Sequence, residues 1–531
     1  MTCDVVIRGG LVYDGTGAPP VRADVGLSAG VIWDIGNLSA VEAPEQIDAS
    51  NLAVAPGFID VHTHSDLSCF LGAEHAHVAA GTVRQGVTTE IAGNCGFSAF
   101  PCLPERRAAL ERHLAALFGP NDLKWHDLAG YRQRVGEAGL FANLAPIVGH
   151  GSVRAGVMGF DNRPPSEDEM RTMRRLVDEA LEQGAVGFSS GLIYSPGVYA
   201  ATEELIRLCS AAARYGRPYI THMRGETYMV ADSVREAIRI ASEAGVPLHI
   251  SHHKAAGKEN WGRTTETLRM IEAARRSGID VTMDMYPYTA GSTMLYGMLP
   301  PWSQQGGIER MLERLHDRVV RERIVREFAA GIPGWENFQQ AAGWEGIFIS
   351  SCPGCPEAEG RCVVELADNA GKSPADFVFD LLIEQRARVT MILHVMCEED
   401  VRRVMTHDAA MVGSDGIPLP GKPHPRWAGT FSRVLGRYCR ESHLLDLPRW
   451  VRKMTSMPAE RFGLKGRGVI AKGRAADVVV FDPSEVADRA TYDEPLLPPL
   501  GVLHVYVNGR AVVRNGDLTG AKPGRVLGAA V

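Results

Sequence analysis

Four histidines in this 531-residue chain follow short apolar runs. His62 and His64 end PGFIDVHTH, His222 ends RPYITH, and His252 lies in VPLHISHH. Because residues two apart in a strand point to the same face, His62 and His64 can bind one cation through their imidazole nitrogens. A single histidine in such a place is more often structural. Four histidines in equivalent places on three predicted strands together predict a metal site.

Two further residues add a carboxylate and a thiol to this set. Asp415 closes the run AAMVGSDG, where a carboxylate can contact a metal ion and accept a proton from water. Cys95 lies in the Gly-rich stretch GVTTEIAGNCGFS, and a thiolate is a strong zinc ligand. The structural alternatives are an ordinary turn aspartate and a small buried apolar side chain.

The segments that carry these residues have an α/β pattern. Strand-like runs alternate with amphipathic helical stretches such as SEDEMRTMRRLVDEALEQG and TYMVADSVREAIRIASEAG. Eight such runs predict an eight-stranded (β/α)8, TIM-like barrel, with a doubly wound open sheet as the alternative. In either fold the reactive groups lie at the carboxyl ends of the strands. The eight runs are LAVAPGFIDVHTH, GVTTEIAG, ANLAPIVGH, AVGFSSGLIY, RPYITHMRGE, VPLHISHHK, IDVTMDMYPY and AAMVGSDG.

The two ends of the chain share a different pattern. Short apolar runs alternate there with Gly, Asp and Pro turns, and Asn508-Gly509 and Asn515-Gly516 predict hairpins. We expect a small β-sandwich domain built from both termini, residues 1–56 and 465–531, around a barrel of residues 57–464. Two independent β-appendages are the alternative.

Residues from about 300 to 389 depart from the barrel rhythm and predict an insertion over one barrel loop. The segment is helix-rich at first and then bears Gly, Pro and Cys. Cys352-Pro-Gly-Cys355 has the spacing of half a zinc knuckle, but no second close pair follows, so an ordinary turn is favoured.

Composition excludes several classes of protein. A net charge of −7 and a pI of about 6.2 do not suit a nucleic-acid-binding or anionic-membrane surface. The start MTCDVVIRGG lacks the pattern of a signal peptide, and no apolar run reaches the ~18 residues of a membrane helix. Ten scattered cysteines fit reduced thiols, so a cytoplasmic location is expected. The sequence leaves the oligomeric state open.

The motifs also carry a resemblance. The sequence resembles the amidohydrolase superfamily and, within it, the D-aminoacylase (N-acyl-D-amino acid deacylase) family. Cys95 together with Tyr194 is more specific to this branch than the His-x-His motif, and the carboxylated lysine of many two-metal relatives has no equivalent here. The matching pieces, in family order, are PGFIDVHTHSD, GVTTEIAGNCGFS, GLIYSPG, THMRGE, ISHHK, GSDG and HPRWAGTF.

The resemblance implies zinc and a hydrolytic mechanism. Asp415 would take a proton as hydroxide attacks the amide carbon and would then protonate the leaving amine. Zinc and the Tyr194 hydroxyl would stabilise the oxyanion. The implied tight zinc ligands are Cys95, His222 and His252, and a weaker second metal position would use His62, His64 and Asp415.

The resemblance further implies an N-acyl-D-amino acid as substrate. Lys254, Tyr286 and Arg426 match the family's positions for binding its α-carboxylate. The segment YTAGSTMLYGMLPPW lacks Arg and Lys, so a neutral or apolar side chain is expected. The handedness of the substrate rests on the resemblance only.

Two alternatives remain open at this point. One is another amidohydrolase that acts on a cyclic amide, a lactam or a dipeptide; Cys95 argues against the cyclic-amide enzymes, which normally use a carboxylated lysine. The other is a non-catalytic scaffold protein, which zinc content would test, since such descendants typically lose metal ligands.

Overall fold

Eight parallel strands form the centre of the computed structural model, which describes residues 2–528. The third strand has two pieces, of which the first pairs with the second strand and the second with the fourth. Thr63 of the first strand bridges Gly416, just after the eighth, so the ring closes as a barrel. The open sheet is excluded. In chain order the strands are Phe58–Thr63, Val87–Ala92, Asn143–Pro146 with Val148–Gly149, Phe188–Gly191, Tyr219–His222, Leu248–Ile250, Val281–Met285 and Ala410–Val412.

Helices connect successive barrel strands and cover their outer faces. The helix predicted for SEDEMRTMRRLVDEALEQG begins at Glu167 with a capping box, in which the side chains of Ser166 and Glu169 each accept from the other's backbone N–H. Such reciprocal bonds satisfy donors that a helix start leaves unpaired. The barrel helices are Ala76–Ala79, Arg107–Phe118, Leu128–Ala138, His150–Met158, Glu167–Glu182, Thr202–Ala213, Val230–Ala244, Thr264–Arg276, Glu398–Thr406, Arg426–Arg433, Val434–Glu441 (a π-helix), Leu447–Met454 and Ser456–Arg461.

Both termini contribute strands to one nine-stranded sheet, as predicted. The antiparallel pair Ala53–Pro56 and Val478–Phe481 joins the N-terminal strands to the C-terminal ones. Two independent appendages are therefore excluded, whereas the domain limits themselves remain a prediction. The other strands of this sheet are Val5–Val12, Val21–Ser28, Val31–Gly36, Glu45–Asp48, Val502–Val507, Arg510–Arg514 and Asp517–Leu518.

Both predicted hairpins are confirmed in this sheet. Asn508 and Gly509 have φ values of 48° and 78° and connect two antiparallel strands. Asn515 and Gly516, at 51° and 84°, connect the next pair. Positive φ at both central residues is the requirement of a tight type I′ turn, which Asn-Gly meets at little cost.

The segment between the seventh and eighth barrel strands carries the predicted insertion. Strands Ala290–Met294 and Thr390–His394 pair with each other across its two ends, and Ile347–Ile349 adds a third strand. The expected limits of about 300 and 389 thus lie just inside this pair. The helices of the segment are Pro301–Gln304, Ile308–Leu315, Arg318–Ala330, Phe338–Ala342, Val363–Asn369 and Pro374–Glu384.

The ten cysteines, all within the described residues, are free thiols. Cys352 and Cys355 form a turn in which the Cys355 N–H donates to the Cys352 carbonyl at 2.8 Å. Neither belongs to a group of metal-ligating side chains found among residues 2–528. No helix within residues 2–528 combines the length and the apolar surface needed to cross a membrane.

Candidate active site

Cys95 lies among three imidazoles at the carboxyl end of the barrel. Its Sγ atom is 3.4 Å from Nε2 of His62, 3.5 Å from Nε2 of His252 and 3.8 Å from Nδ1 of His222. All four side chains are buried. Because they follow four different barrel strands, the closed ring of strands is what brings them together.

Asp415 completes the cluster beside His62 and His64. Its Oδ1 atom is 3.3 Å from Nε2 of both His62 and His64, so the two histidines of the His-x-His motif do face one partner. The candidate ligands form two groups, and within each group the ligand atoms lie within 4.8 Å of one another. The groups share Cys95 and consist of His62, His64, Cys95 and Asp415, and of Cys95, His222 and His252.

The chemistry of these donors fits zinc. Thiolate, imidazole and carboxylate are the three ligand types that zinc takes in proteins. Burial raises the pKa of the Cys95 thiol, but His62 and hydrogen bonds from the surrounding imidazoles hold it well below its usual value. Burial likewise raises the pKa of Asp415, while Arg426 and His62 hold it well below the usual range. Both shifts favour the ionised form, which is the form that binds a metal ion.

The backbone at three of these residues has an uncommon conformation. Cys95, His252 and Asp415 have φ values of 53°, 35° and 50°, in the left-handed region that non-glycine residues rarely adopt. Such strained residues are enriched at functional sites, where packing holds them in place. Gly191 permits the close approach at Cys95, because an added Cβ would lie 2.1 Å from the Cys95 carbonyl oxygen.

Glu226 supports the second group of candidate ligands from behind. Its Oε1 atom is 3.0 Å from Nδ1 of His252 and 2.6 Å from Nζ of Lys254, and its Oε2 atom is 3.7 Å from Nε2 of His222. A carboxylate that accepts from the outer nitrogen of a histidine fixes the ring and its tautomer. Glu226 was not predicted as a site residue, although it lies four residues after His222 in THMRGE.

Asp284 gives the same support to the first group. Its Oδ2 atom is 3.3 Å from Nδ1 of His62 and 2.9 Å from Nε2 of His249, and its Oδ1 atom accepts from the His252 backbone N–H at 3.0 Å. This residue was also missed. The only signal for it was an acidic side chain inside the apolar run IDVTMDM.

Tyr194 lines the pocket beside the cluster. Its ring lies 5.0 Å from that of His222, and its hydroxyl oxygen accepts from Thr293 Oγ1 at 2.9 Å. Since the oxygen is the acceptor in this bond, the Tyr194 O–H remains free to donate into the pocket.

The three predicted carboxylate-binding residues differ in how many of their polar atoms already have partners within the protein. The Tyr286 hydroxyl is buried in the pocket wall without a hydrogen-bond partner among the described residues. Lys254 Nζ is in contact with Glu226, with His252 Nδ1 at 2.7 Å and with the His252 carbonyl at 2.8 Å. Arg426 stacks on the Tyr286 ring and places Nη1 2.8 Å from Oδ2 of Asp415.

The insertion forms one wall of the pocket, a cavity of about 40 Å³. Its side chains there are mainly apolar, and Lys254 is the one Lys or Arg in the lining. His62 and Arg426 lie behind this lining, in contact with residues that form it. The apolar side chains of the lining are Phe97, Leu117, Ala256, Met294, Phe338, Leu393, Val395 and Ile417.

A closed (β/α)8 barrel with a buried Cys, His and Asp cluster at its carboxyl end defines a metal-dependent hydrolase. A family model described as "Amidohydrolase family" matches residues 45–513. The chain therefore belongs to the amidohydrolase family, and its similarity to two characterised deacylases places it in the D-aminoacylase branch.

Three relatives document this similarity. The chain is 39% identical over 524 residues to a D-aminoacylase of Alcaligenes xylosoxydans xylosoxydans, covering 99% of this chain and 97% of the relative. It is also 39% identical over 525 residues to an N-acyl-D-glutamate deacylase of the same organism, covering 99% and 96%. The crystal structure of N-acyl-D-glutamate deacylase from Bordetella bronchiseptica, complexed with zinc and a phosphonate mimic of the tetrahedral intermediate, matches with a TM-score of 0.85 and 37% identity over 100% of both chains.

Proposed function

We propose that this protein is a zinc-dependent N-acyl-D-amino acid deacylase, which hydrolyses the amide bond to release a carboxylic acid and a free D-amino acid. The observation that carries the proposal is the position of Cys95 Sγ, 3.4 to 3.8 Å from three imidazole nitrogens, next to the carboxylate of Asp415. The cluster opens into a pocket that Tyr194, Lys254 and Tyr286 also line.

The same residues are the proposed metal ligands. Cys95, His222 and His252 would hold one zinc ion, and His62, His64 and Asp415 a second, weaker one. When bound, zinc supplies Lewis-acid polarisation of the amide carbonyl and lowers the pKa of water.

Asp415 is the proposed proton carrier. Its Oδ1 atom faces both histidines of the first strand, while Arg426 holds Oδ2 at 2.8 Å, so the orientation of the carboxylate is fixed. An ionised carboxylate in this position accepts the proton of the attacking water at Oδ1. It then returns the proton to the nitrogen of the leaving amine.

Tyr194 is the proposed donor to the developing oxyanion. Its own oxygen is occupied by the Thr293 hydroxyl, which leaves its hydrogen for the substrate. A buried donor placed beforehand where charge develops stabilises the transition state more than the ground state.

The α-carboxylate of the substrate is proposed to bind Tyr286, with Lys254 and Arg426 supplying positive charge. Tyr286 has a free hydroxyl, whereas the Lys254 ammonium already donates to Oε1 of Glu226 at 2.6 Å and to the His252 carbonyl at 2.8 Å. The direct hydrogen bond is therefore assigned to Tyr286, and the two cations act mainly through their field.

A neutral or apolar D-amino acid side chain fits the pocket better than an acidic one. Met294, Phe338 and Leu393 of the insertion contribute apolar surface to it. A carboxylate in this wall would be buried without a partner, which costs several kcal/mol or forces its protonation. We further propose a cytoplasmic location, in keeping with ten free thiols.

The proposal is tested by incubating zinc-loaded protein with paired N-acetyl-D- and N-acetyl-L-amino acids (Leu, Met, Phe and Glu) and measuring release of amine. We expect release from D-Leu, D-Met and D-Phe and none from the L series. The Asp415→Asn variant, which keeps the size of the side chain, is the matched control and should release amine about 10²- to 10⁴-fold more slowly.

Absence of release from both series, in protein that contains zinc, would contradict the proposed substrate. Cyclic amides, lactams and dipeptides would then be assayed with the same two proteins. Zinc-free protein after purification and dialysis against zinc would contradict the metal assignment instead.

A further inference from the structure

One buried glutamate of the insertion contacts Glu226, the residue that supports the candidate metal ligands His222 and His252. Glu336 lies two residues before helix Phe338–Ala342, and its side chain is 3% exposed. Its Oε2 atom accepts from the backbone N–H of Glu226 at 3.2 Å and from the hydroxyl of Thr227 at 3.0 Å. The insertion therefore reaches the loop that follows the fifth barrel strand.

Two residues close to Glu336 in the sequence, Gly334 and Phe338, add contacts in the same region. The backbone N–H of Gly334 donates to the Tyr228 hydroxyl at 3.2 Å, and Phe338 lines the pocket. This loop also contacts the segment that follows the sixth barrel strand, because the Glu226 carbonyl accepts from the Ala256 N–H at 2.7 Å. Glu336 lies at the centre of this contact.

We propose that Glu336 is a positioning residue of the active site: from the insertion it fixes Glu226, and through Glu226 it holds the imidazoles of His222 and His252 in place. Glu336 Oε2 accepts from the Glu226 N–H, and the Glu226 carboxylate lies 3.0 Å from Nδ1 of His252. Its contact with Nε2 of His222, at 3.7 Å, is electrostatic and not a hydrogen bond. Its catalytic consequence rests on the proposed function, whereas its consequence for zinc binding does not.

The chemistry of Glu336 suits this role. Its second oxygen, Oε1, is buried without a partner among the described residues. An apolar side chain of similar size would fill the space without burying a polar group. What the carboxyl adds is therefore the pair of hydrogen bonds to Glu226 and Thr227. Burial, followed by the charge of Glu226, raises the pKa of Glu336 to about 7, so a neutral amide is a close substitute.

The test compares Glu336→Leu with Glu336→Gln. The leucine keeps the volume but removes the acceptor, and the glutamine keeps an acceptor oxygen. Zinc affinity is measured by competition with a chromophoric chelator, and kcat and KM are measured with N-acetyl-D-Leu. We expect Glu336→Leu to bind zinc about tenfold more weakly, the low end of what outer-shell substitutions cost, with a lower kcat. Glu336→Gln should stay within about twofold of the unmodified protein.

Glu345→Leu is the matched control, because Glu345 is an exposed glutamate of the same insertion. It should change neither zinc affinity nor kcat. Unchanged zinc affinity in Glu336→Leu, or an equal loss in Glu336→Gln, would overturn the proposal. A merely structural role would lower the melting temperature and leave zinc affinity unchanged.

Thr227→Val provides a second route if Glu336→Leu does not fold. It removes one of the two donors to Glu336 and keeps the backbone bond. Loss of one such hydrogen bond predicts zinc affinity about two- to fivefold weaker. No change in this variant would also overturn the proposal. Since zinc binding is the deciding readout, an enzyme inactive on every N-acyl-D-amino acid would refute the proposed function and leave this test valid.

Discussion

Oδ2 of Asp284 lies 3.3 Å from Nδ1 of His62 and orients the imidazole whose Nε2 faces Cys95 and Asp415. Both side chains are fully buried, and they come from the seventh and first barrel strands. Burial raises the pKa of Asp284, but the opposing effects of His62 and His249 hold it below its usual value. An ionised Asp284 therefore accepts the Nδ1–H of His62 and leaves Nε2 free to bind a metal ion.

Asp284→Asn should weaken zinc binding about 10- to 100-fold, because the amide loses the charge that fixes the His62 tautomer. Zinc affinity by chelator competition is the measurement. Asp280→Asn, an exposed aspartate just before the same strand, is the control and should bind zinc normally. Equal affinities in the two variants would contradict the role of Asp284.

Asp415→Asn should lower kcat for N-acetyl-D-Leu by about 10²- to 10⁴-fold, since an amide cannot accept the proton of water. The zinc that Cys95, His222 and His252 hold should remain, which elemental analysis of the dialysed protein would measure. Asp408→Asn is the control, because Asp408 is an exposed aspartate just before the eighth barrel strand. This variant should keep full activity. A kcat within tenfold of normal would exclude Asp415 as the proton carrier.

Cys95→Ala should abolish zinc retention through dialysis, because Cys95 belongs to both groups of candidate ligands. Zinc per chain is the measurement, with circular dichroism to verify the fold. Cys102→Ala removes another buried thiol outside the cluster and should leave zinc content unchanged. Full zinc content in Cys95→Ala would show that the metal, if present, binds elsewhere.

N-acetyl-D-Leu should exceed N-acetyl-D-Glu at least about tenfold in kcat/KM, because the apolar wall offers no partner for a second carboxylate. N-acetyl-D-Gln separates charge from size and should fall between the two. The measurement is amine release at several substrate concentrations. Comparable values for D-Leu and D-Glu would contradict the predicted preference, and the 39% identity to an N-acyl-D-glutamate deacylase makes this comparison decisive.

Gly509→Ala should lower the stability of the nine-stranded sheet by about 1–3 kcal/mol. The residue has φ of 78°, and an added Cβ would lie 2.9 Å from the Cα of Gly30. Gly520→Ala is the matched control, since Gly520 has φ of 81° but no atom within 4 Å of the added Cβ. Thermal melting should show a larger decrease for Gly509→Ala. Equal decreases of melting temperature in the two variants would show that the positive φ causes the whole effect and that the contact with Gly30 contributes nothing.

Much of the fold was predictable because its signals are local. Each of the eight predicted runs contains a barrel strand, although the first also includes Ala53–Pro56 of the nine-stranded sheet. Ser166 and Glu169 cap the helix that the sequence pattern after them indicates. Asn508-Gly509 likewise carries its turn conformation in two adjacent residues. A common β-domain of both termini was inferred from their shared pattern of short apolar runs and turns. That pattern cannot specify the pairing of Ala53–Pro56 with Val478–Phe481 or its register.

The site was predictable only in part. Residue type and position after a strand indicated His62, His64, Cys95 and Asp415, since metals and protons require particular donor atoms. The supporting carboxylates Glu226 and Asp284 carried no comparable signal, because an acidic residue beside or within a strand has many structural uses. Their importance depends on which imidazole nitrogen they face.

The sequence by itself determined the elements of the barrel, the donor types and the strand ends at which they lie. Periodicity and side-chain chemistry are properties of neighbouring residues, so they are present before the chain folds. The tertiary structure alone decided which groups meet. Asp284 contacts His62 across 222 positions of sequence, and Glu336 contacts Glu226 across 110. Such contacts arise from closure of the barrel and docking of the insertion, which no local pattern specifies.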